Sequence, residues 1–164
     1  MYGNALQAAS ARGHDQVVRM LLDKGADVNA HGGMYGNALQ AASSRGHDQV
    51  VRMLLDKGAD VNAQGGVYGN ALQVPLLTGH YQVVQMLLDK EVDVNAQGGV
   101  YGNALYAASE EGHGQVVQML LDKEVDVNAQ GGMYGNALQA ASSIGNDEVV
   151  QMLLDKGADV NAQG

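Results

Sequence analysis

One string returns along this chain at a fixed interval. Met-Tyr-Gly-Asn-Ala-Leu-Gln opens at Met1, recurs at Met34, continues as Val-Tyr-Gly-Asn-Ala-Leu at Val67 and Val100, and returns at Met133, each step being 33 residues. Four units (1–33, 34–66, 67–99, 100–132) and a fifth, 133–164, that lacks only its last residue account for all 164 residues. A chain built this way has one supersecondary unit per period, and each unit buries its apolar face only against the next.

Within a unit the residues read as helix, turn, helix, loop. Asn4 is placed to cap a first helix, with Gln7 three positions on in the manner of a capping box. Leu6, Ala9 and Ser10 fall on one face of that helix, and Gly13 ends it. Val17, Val18, Leu21 and Leu22 form the apolar stripe of a second helix, with Lys24 near its negative end and Gly25 closing it. Asp27, Asn29 and the pair Gly32-Gly33 supply turn chemistry before the next unit begins. The expected fold is therefore all-α: five stacked units forming a single domain over residues 1–164, without evident capping repeats at either end.

Composition narrows what such a stack can do. There are no cysteines, so disulfides, thiolate metal sites and thiol nucleophiles are excluded together. No apolar run reaches the roughly 20 residues that a membrane span needs, and the start lacks signal-peptide architecture; the chain reads as soluble and cytoplasmic. Residues 1–66 balance six Lys/Arg against six Asp/Glu, whereas residues 67–164 hold three against twelve and carry the whole net charge of −9. Nucleic acid and anionic membranes are poor partners for that half, because phosphate binding depends on basic residues. A basic protein surface is a better one.

The residues that carry the period resemble the ankyrin repeat over the whole chain: Val17-Val18 and Met20-Leu21-Leu22 in all five periods, Gly13-His14 in four, and Gly25-Ala26-Asp27-Val28-Asn29-Ala30 in three, with Glu-Val in place of Gly-Ala in the other two. Where that family opens its first helix with Thr-Pro-Leu-His, this chain has Asn-Ala-Leu-Gln, so the usual Thr–His bonding is not assumed. The variant Gly-Gly-x-Tyr-Gly-Asn-Ala-Leu-Gln also looks like ankyrin arrays of filamentous fungi, which often end NOD-like receptor ATPases. The resemblance implies a solenoid and a non-catalytic protein-binding role, through a concave surface formed by first-helix ends and hairpin tips.

Differences among the five units concentrate on that surface. Arg12 becomes Arg45, Thr78, Glu111 and Ile144; Ala11 becomes Ser44, Leu77, Glu110 and Ser143; Asp15 becomes Tyr81 in the third unit; Gln7 is replaced once, by Tyr106. A partner-binding face at Arg12, Arg45, Leu77, Thr78, Tyr81, Tyr106, Glu110, Glu111, Ser143 and Ile144 is expected, with Leu77, Ile144, Tyr81 and Tyr106 read as exposed contact points. It would be basic at its start and acidic in the fourth unit, at Glu110, Glu111 and Glu124. The recurring Tyr2, Tyr35, Tyr68, Tyr101 and Tyr134 pack beneath the hairpins or form an exposed stripe, packing being the favoured reading. Pro75 stands inside the third unit's first helix and predicts a kinked or shortened helix, and the weakest link of the stack.

Other chemistry fails on spacing. His14, His47, His80 and His113 lie one repeat apart, near 10 Å at ordinary helix packing distances, whereas Zn–N bonds are about 2.1 Å; they read as loop-bracing residues, and His31 as solvated. Ser10, Ser43, Ser109 and Ser142 sit on the packed side of a helix without an oriented His–Asp pair. No phosphate loop occurs. No catalytic residue, metal or cofactor is expected, and the partner is a protein. The alternative function is self-assembly, in which uncapped ends join copies of the chain end to end.

Overall fold

A computed structural model describes residues 2–163; Met1 and Gly164, where the first and last units begin and end, lie outside the described residues. The described residues form ten helices and no strands: α1 (Ala5–Ala11), α2 (Asp15–Asp23), α3 (Ala38–Ser43), α4 (Asp48–Asp56), α5 (Gln73–Thr78), α6 (Tyr81–Leu88), α7 (Ala104–Glu110), α8 (Gly114–Leu121), α9 (Ala137–Ile144) and α10 (Asp147–Asp155). They are the expected two per period. The chain divides into two compact units, Met1–Val92 and Asp93–Gly164.

In the first unit α1 packs on α3, and each first helix pairs with its own second helix. Val18, Leu39, Val51, Leu54, Leu72, Leu76 and Leu87 are almost wholly removed from water. In the second, α7 packs on α9 and α8 on α10, around Leu105, Val116, Leu120, Val149 and Leu153. The caps are those read from the residues. Asn4, Asn37, Asn103 and Asn136 each accept the backbone N–H three positions on, and Asn37–Gln40 and Asn136–Gln139 complete the reciprocal box.

Side chains that reach into the next repeat join consecutive units. Gln7 donates from Nε2 to the carbonyls of Ala30 (3.1 Å) and Gly36 (3.3 Å), and Gln40 does the same to Ala63 and Gly69 at 3.0 and 3.2 Å. Asn29 donates to the Gly58 carbonyl and accepts the Asp60 N–H, at 3.1 and 2.8 Å. Asn95 and Asn128 repeat that double bond with Glu124/Asp126 and Gly157/Asp159. His47 braces a loop as expected: its Nε2 lies 3.3 Å from the Ala11 carbonyl oxygen, placed to donate to it. The ring lies so close beneath Gly13 that a Cβ there would sit 2.6 Å from Nδ1, which is the physical content of the Gly-His pair. In the fifth period Asn146 takes over, donating to the Gly112 carbonyl at 3.2 Å.

Pro75 delays the start of its helix; α5, with six residues, is as long as α3. α5 begins at Gln73, two residues later than α1, α3, α7 and α9 begin in their periods, so the proline falls in the first turn, where no helical N–H is required. Ser10, Ser43 and Ser109 are fully buried, but Ser142 is exposed. Two residues pay a backbone penalty. Glu91 and Glu124 stand where Gly25, Gly58 and Gly157 stand in other periods, and they hold φ of 58° and 57°. A side chain in that left-handed region costs about 1 kcal/mol or more relative to glycine. Glu91→Gly and Glu124→Gly should therefore each raise stability by about 1 kcal/mol, visible as a higher denaturant midpoint. An unchanged midpoint would refute this account.

Candidate functional site

Hairpin tips and first-helix ends lie together on one face of each unit because Gly-rich turns fold back onto the helix that follows them. Backbone bridges Gly32↔Gly36 and Gly65↔Gly69 close the turns of the first unit, and Gly98↔Gly102 and Gln130↔Asn136 those of the second.

In the first unit the face is a file of tyrosines tied to arginines. The Tyr2 and Tyr35 rings stack with centroids 6.1 Å apart and planes 11° from parallel, and Tyr68 follows at 6.4 Å, tilted by 37°. Arg12, at the C-cap of α1, donates from Nε to the Tyr2 hydroxyl, and Arg45 donates from Nη2 to that of Tyr35, both at 3.0 Å. The bond to Tyr35 pushes the Arg45 guanidinium further above its ordinary pKa, so its charge is fixed. The tyrosines divide between the two readings: Tyr35 is 5% exposed and packs with Ala11 and Ala41, while Tyr2 and Tyr134 are exposed. Thr78, the last residue of α5, is exposed and donates its hydroxyl to the Val74 carbonyl. Leu77 is half-buried, a correction to its reading as an exposed contact, because the retreat of α5 leaves it in the last turn of a short helix. Tyr81 begins α6 and is exposed, as read.

In the second unit Tyr106 overturns its expected exposure, since only 1% of it is accessible. It occupies the third position of α7, where other periods place the inward-reaching glutamine, and it spans the same gap with opposite polarity. Its hydroxyl accepts the N–H groups of Met133 and Tyr134 at 3.0 and 3.2 Å, whereas the glutamines donate to carbonyls. Gly132 clears the space for the ring. Met133, in the hairpin above, is 85% exposed against 42% for Met34.

Glu110, the half-buried last residue of α7, lines the same cleft as Tyr106. Burial, helped by the neighbouring Glu111 charge, pushes the Glu110 carboxyl above its ordinary pKa, against the opposing effect of Tyr106. A raised folded-state value means that the folded chain holds this proton more tightly than the unfolded one. The associated stability is then present below the ordinary glutamate range and lost as pH rises through the raised value. Glu110→Gln should accordingly be more stable than the parent at pH 7, with the difference vanishing below about pH 4; a difference independent of pH would refute the assignment. Glu111 is exposed at the C-cap of α7, and Ser143 and Ile144 are exposed at the end of α9, the Ile144 side chain lying over Gly112. Glu124 is not part of this group, since it follows the C-terminal end of α8 whereas Glu110 and Glu111 precede its start.

Val100, Tyr101, Tyr106, Glu110 and Met133 together line a cleft of about 230 Å³. Reasoning from variable helix ends passed over its two apolar walls. The signal for them was present, because Met34, Val67, Val100 and Met133 put an apolar residue in a polar turn at every period. Grooves between second helices offer less: that between α2 and α4 is lined by Arg19, Asp23, Asp56 and Lys57 beside Leu22 and Met53, with Lys57 paired to Asp23 at 3.6 Å. No helix among the described residues is long and apolar enough to cross a membrane, and no group of three or more metal-binding side chains gathers among them.

A 27-residue stretch is 78% identical to a Monascus ruber protein described as azaphilone pigments biosynthesis cluster protein L, covering 16% of this chain and 6% of that protein. This chain thus spans only a small part of that relative's length. The family model of ankyrin repeats in three copies matches residues 6–98 and again 77–164. That match takes in every helical pair but for the first residue of α1, and such repeats generally serve as protein–protein interaction modules. The chain belongs to the ankyrin-repeat family.

Proposed function

We propose that the chain is a non-catalytic protein-recognition segment of a larger receptor or scaffold, binding through the concave face formed by its hairpin tips and first-helix ends. The observation that carries this reading is where the repeats differ. Arg12, Arg45, Thr78, Glu111, Ser143 and Ile144 stand exposed at the ends of first helices, on a frame whose second-helix valines and leucines are the same in every period. Arginine, tyrosine and exposed aliphatic side chains are what protein hot spots favour. The arginine–tyrosine file suits an acidic stretch of partner, and the Glu110–Glu111 end a basic one.

Selection of a displayed random-peptide library against the 164-residue chain tests this. Binders should lose at least tenfold in affinity to a chain carrying Arg12→Glu and Arg45→Glu, or Glu111→Lys and Ile144→Ala, and should tolerate Arg19→Ala with Arg52→Ala on the second helices. Binders indifferent to all face substitutions would sink the reading.

A second reading, end-to-end association of copies, has its own observation. Val17 is 45% exposed where Val50, Val83, Val116 and Val149 are 0–1%, and Leu154 and Val160 are exposed at the other end. These faces fit either a further repeat of the same polypeptide or a second copy. Light scattering over a hundredfold range of concentration separates the two: a mass fixed at 17.1 kDa excludes association of copies.

A further inference from the structure

We propose that the cleft between the Val100 and Met133 hairpins is a socket for one basic side chain, lysine or arginine, presented by a protein partner. This rests on the protein-binding reading of the hairpin face and names what one part of it takes. The walls are Val100 and Met133, 62% and 85% exposed, which set apolar surface on either side of a carboxylate. Tyr106 is the buried floor, its hydroxyl accepting two backbone N–H groups, and the half-buried Glu110 is the one charged residue of the lining.

No lining residue is cationic. In residues 93–164 two lysines face ten acids, and Lys123 and Lys156 both follow the C-terminal ends of second helices, whereas Glu110 stands before the start of one. Neither lysine of this unit therefore stands beside Glu110 at the cleft, where burial and Glu111 already disfavour its charge. A basic side chain matches both halves of the site: its methylene stem covers Val100 and Met133 while its head reaches the carboxylate. An apolar side chain would desolvate Glu110 further without compensation, and an acidic one would be repelled. The volume is below the roughly 300–1,000 Å³ of small-molecule pockets, so one side chain fits better than a free ligand.

The test uses the whole chain, labelled for amide NMR and titrated with Nα-acetyl-arginine amide or with its neutral isostere Nα-acetyl-citrulline amide. Saturable shifts are expected at residues 100, 101, 106, 110 and 133 with the arginine probe. Half-saturation should rise at least fivefold for citrulline, and equally for the arginine probe on Glu110→Gln. Shifts equal for the two probes, unchanged in Glu110→Gln, or spread over the acidic surface at Asp147 and Asp155 would overturn the socket. So would library peptides that compete at Ile144 and Glu111 yet carry no basic residue, an outcome that leaves the binding face itself standing. Peptides insensitive to every face substitution would instead remove the underlying reading.

Discussion

Replacing Gly66 with alanine should remove about 3 kcal/mol or more of folding stability, whereas the same change at Gly58 should cost only about 1 kcal/mol. Both glycines have positive φ, 65° and 84°, so both substitutions carry the left-handed penalty. They differ in what surrounds them. A Cβ on Gly66 would lie 2.5 Å from the Tyr35 carbonyl carbon and 2.7 Å from both the Gly36 nitrogen and the Met34 oxygen, all main-chain atoms of the preceding hairpin. Main chain cannot step aside as a flexible side chain can. The two hairpins would have to part, straining the Val67 N–H to Met34 carbonyl bond at 3.0 Å. Nothing lies within 4 Å of a Cβ on Gly58. Equal losses in denaturant titrations of the two variants would refute the close approach of the hairpins.

Gln40→Ala is expected to cost about 3–4 kcal/mol, at roughly 1 kcal/mol for each hydrogen bond lost and more for each buried group left unpaired. The side chain accepts the Asn37 N–H at 3.0 Å and donates to the carbonyls of Ala63 and Gly69, and all three bonds are buried. One truncation thus strands a donor at a helix start and two carbonyls in the loops before and after the next hairpin. Exposed Gln49 in α4 is the control, and its alanine variant should stay within about 0.5 kcal/mol of the parent. A Gln40 variant that matched it would mean that these bonds contribute nothing net.

The period, the two helices per unit, the asparagine caps and the glycine stops were legible because each depends on neighbours close in sequence. Asn4 and Gln7 are three residues apart whatever the rest of the chain does. The joints between repeats were harder to read, since they connect residues 23 to 36 positions apart. Gln7 looked like a capping residue, and its reach to Ala30 and Gly36 could not be told from local spacing. Tyr106 was misplaced for the same reason. A lone tyrosine at a variable position suggests a contact, but here it substitutes for a bridge and sits over Gly132. His47 was read as loop-bracing from its repeat spacing, although the loop and the glycine it packs under, Gly13, belong to the preceding repeat. The cleft in the second unit combined the two cases: Glu110 was evident from charge, but its walls come from hairpins that sequence places 33 residues apart.

The asparagine bridges have a consequence for how such a chain changes over time. Asn29, Asn62, Asn95 and Asn128 each donate to a carbonyl, of Gly58, Glu91, Glu124 and Gly157, and so address the main chain of the following repeat rather than its side chain. The connection therefore does not depend on which residue occupies that position, and it was kept when glycine gave way to glutamate twice. A gene that lost or duplicated one 33-residue period by misaligned recombination would present the same asparagine to the same kind of carbonyl. Such a chain can alter the number and order of its recognition residues in whole steps, without inventing a new joint each time.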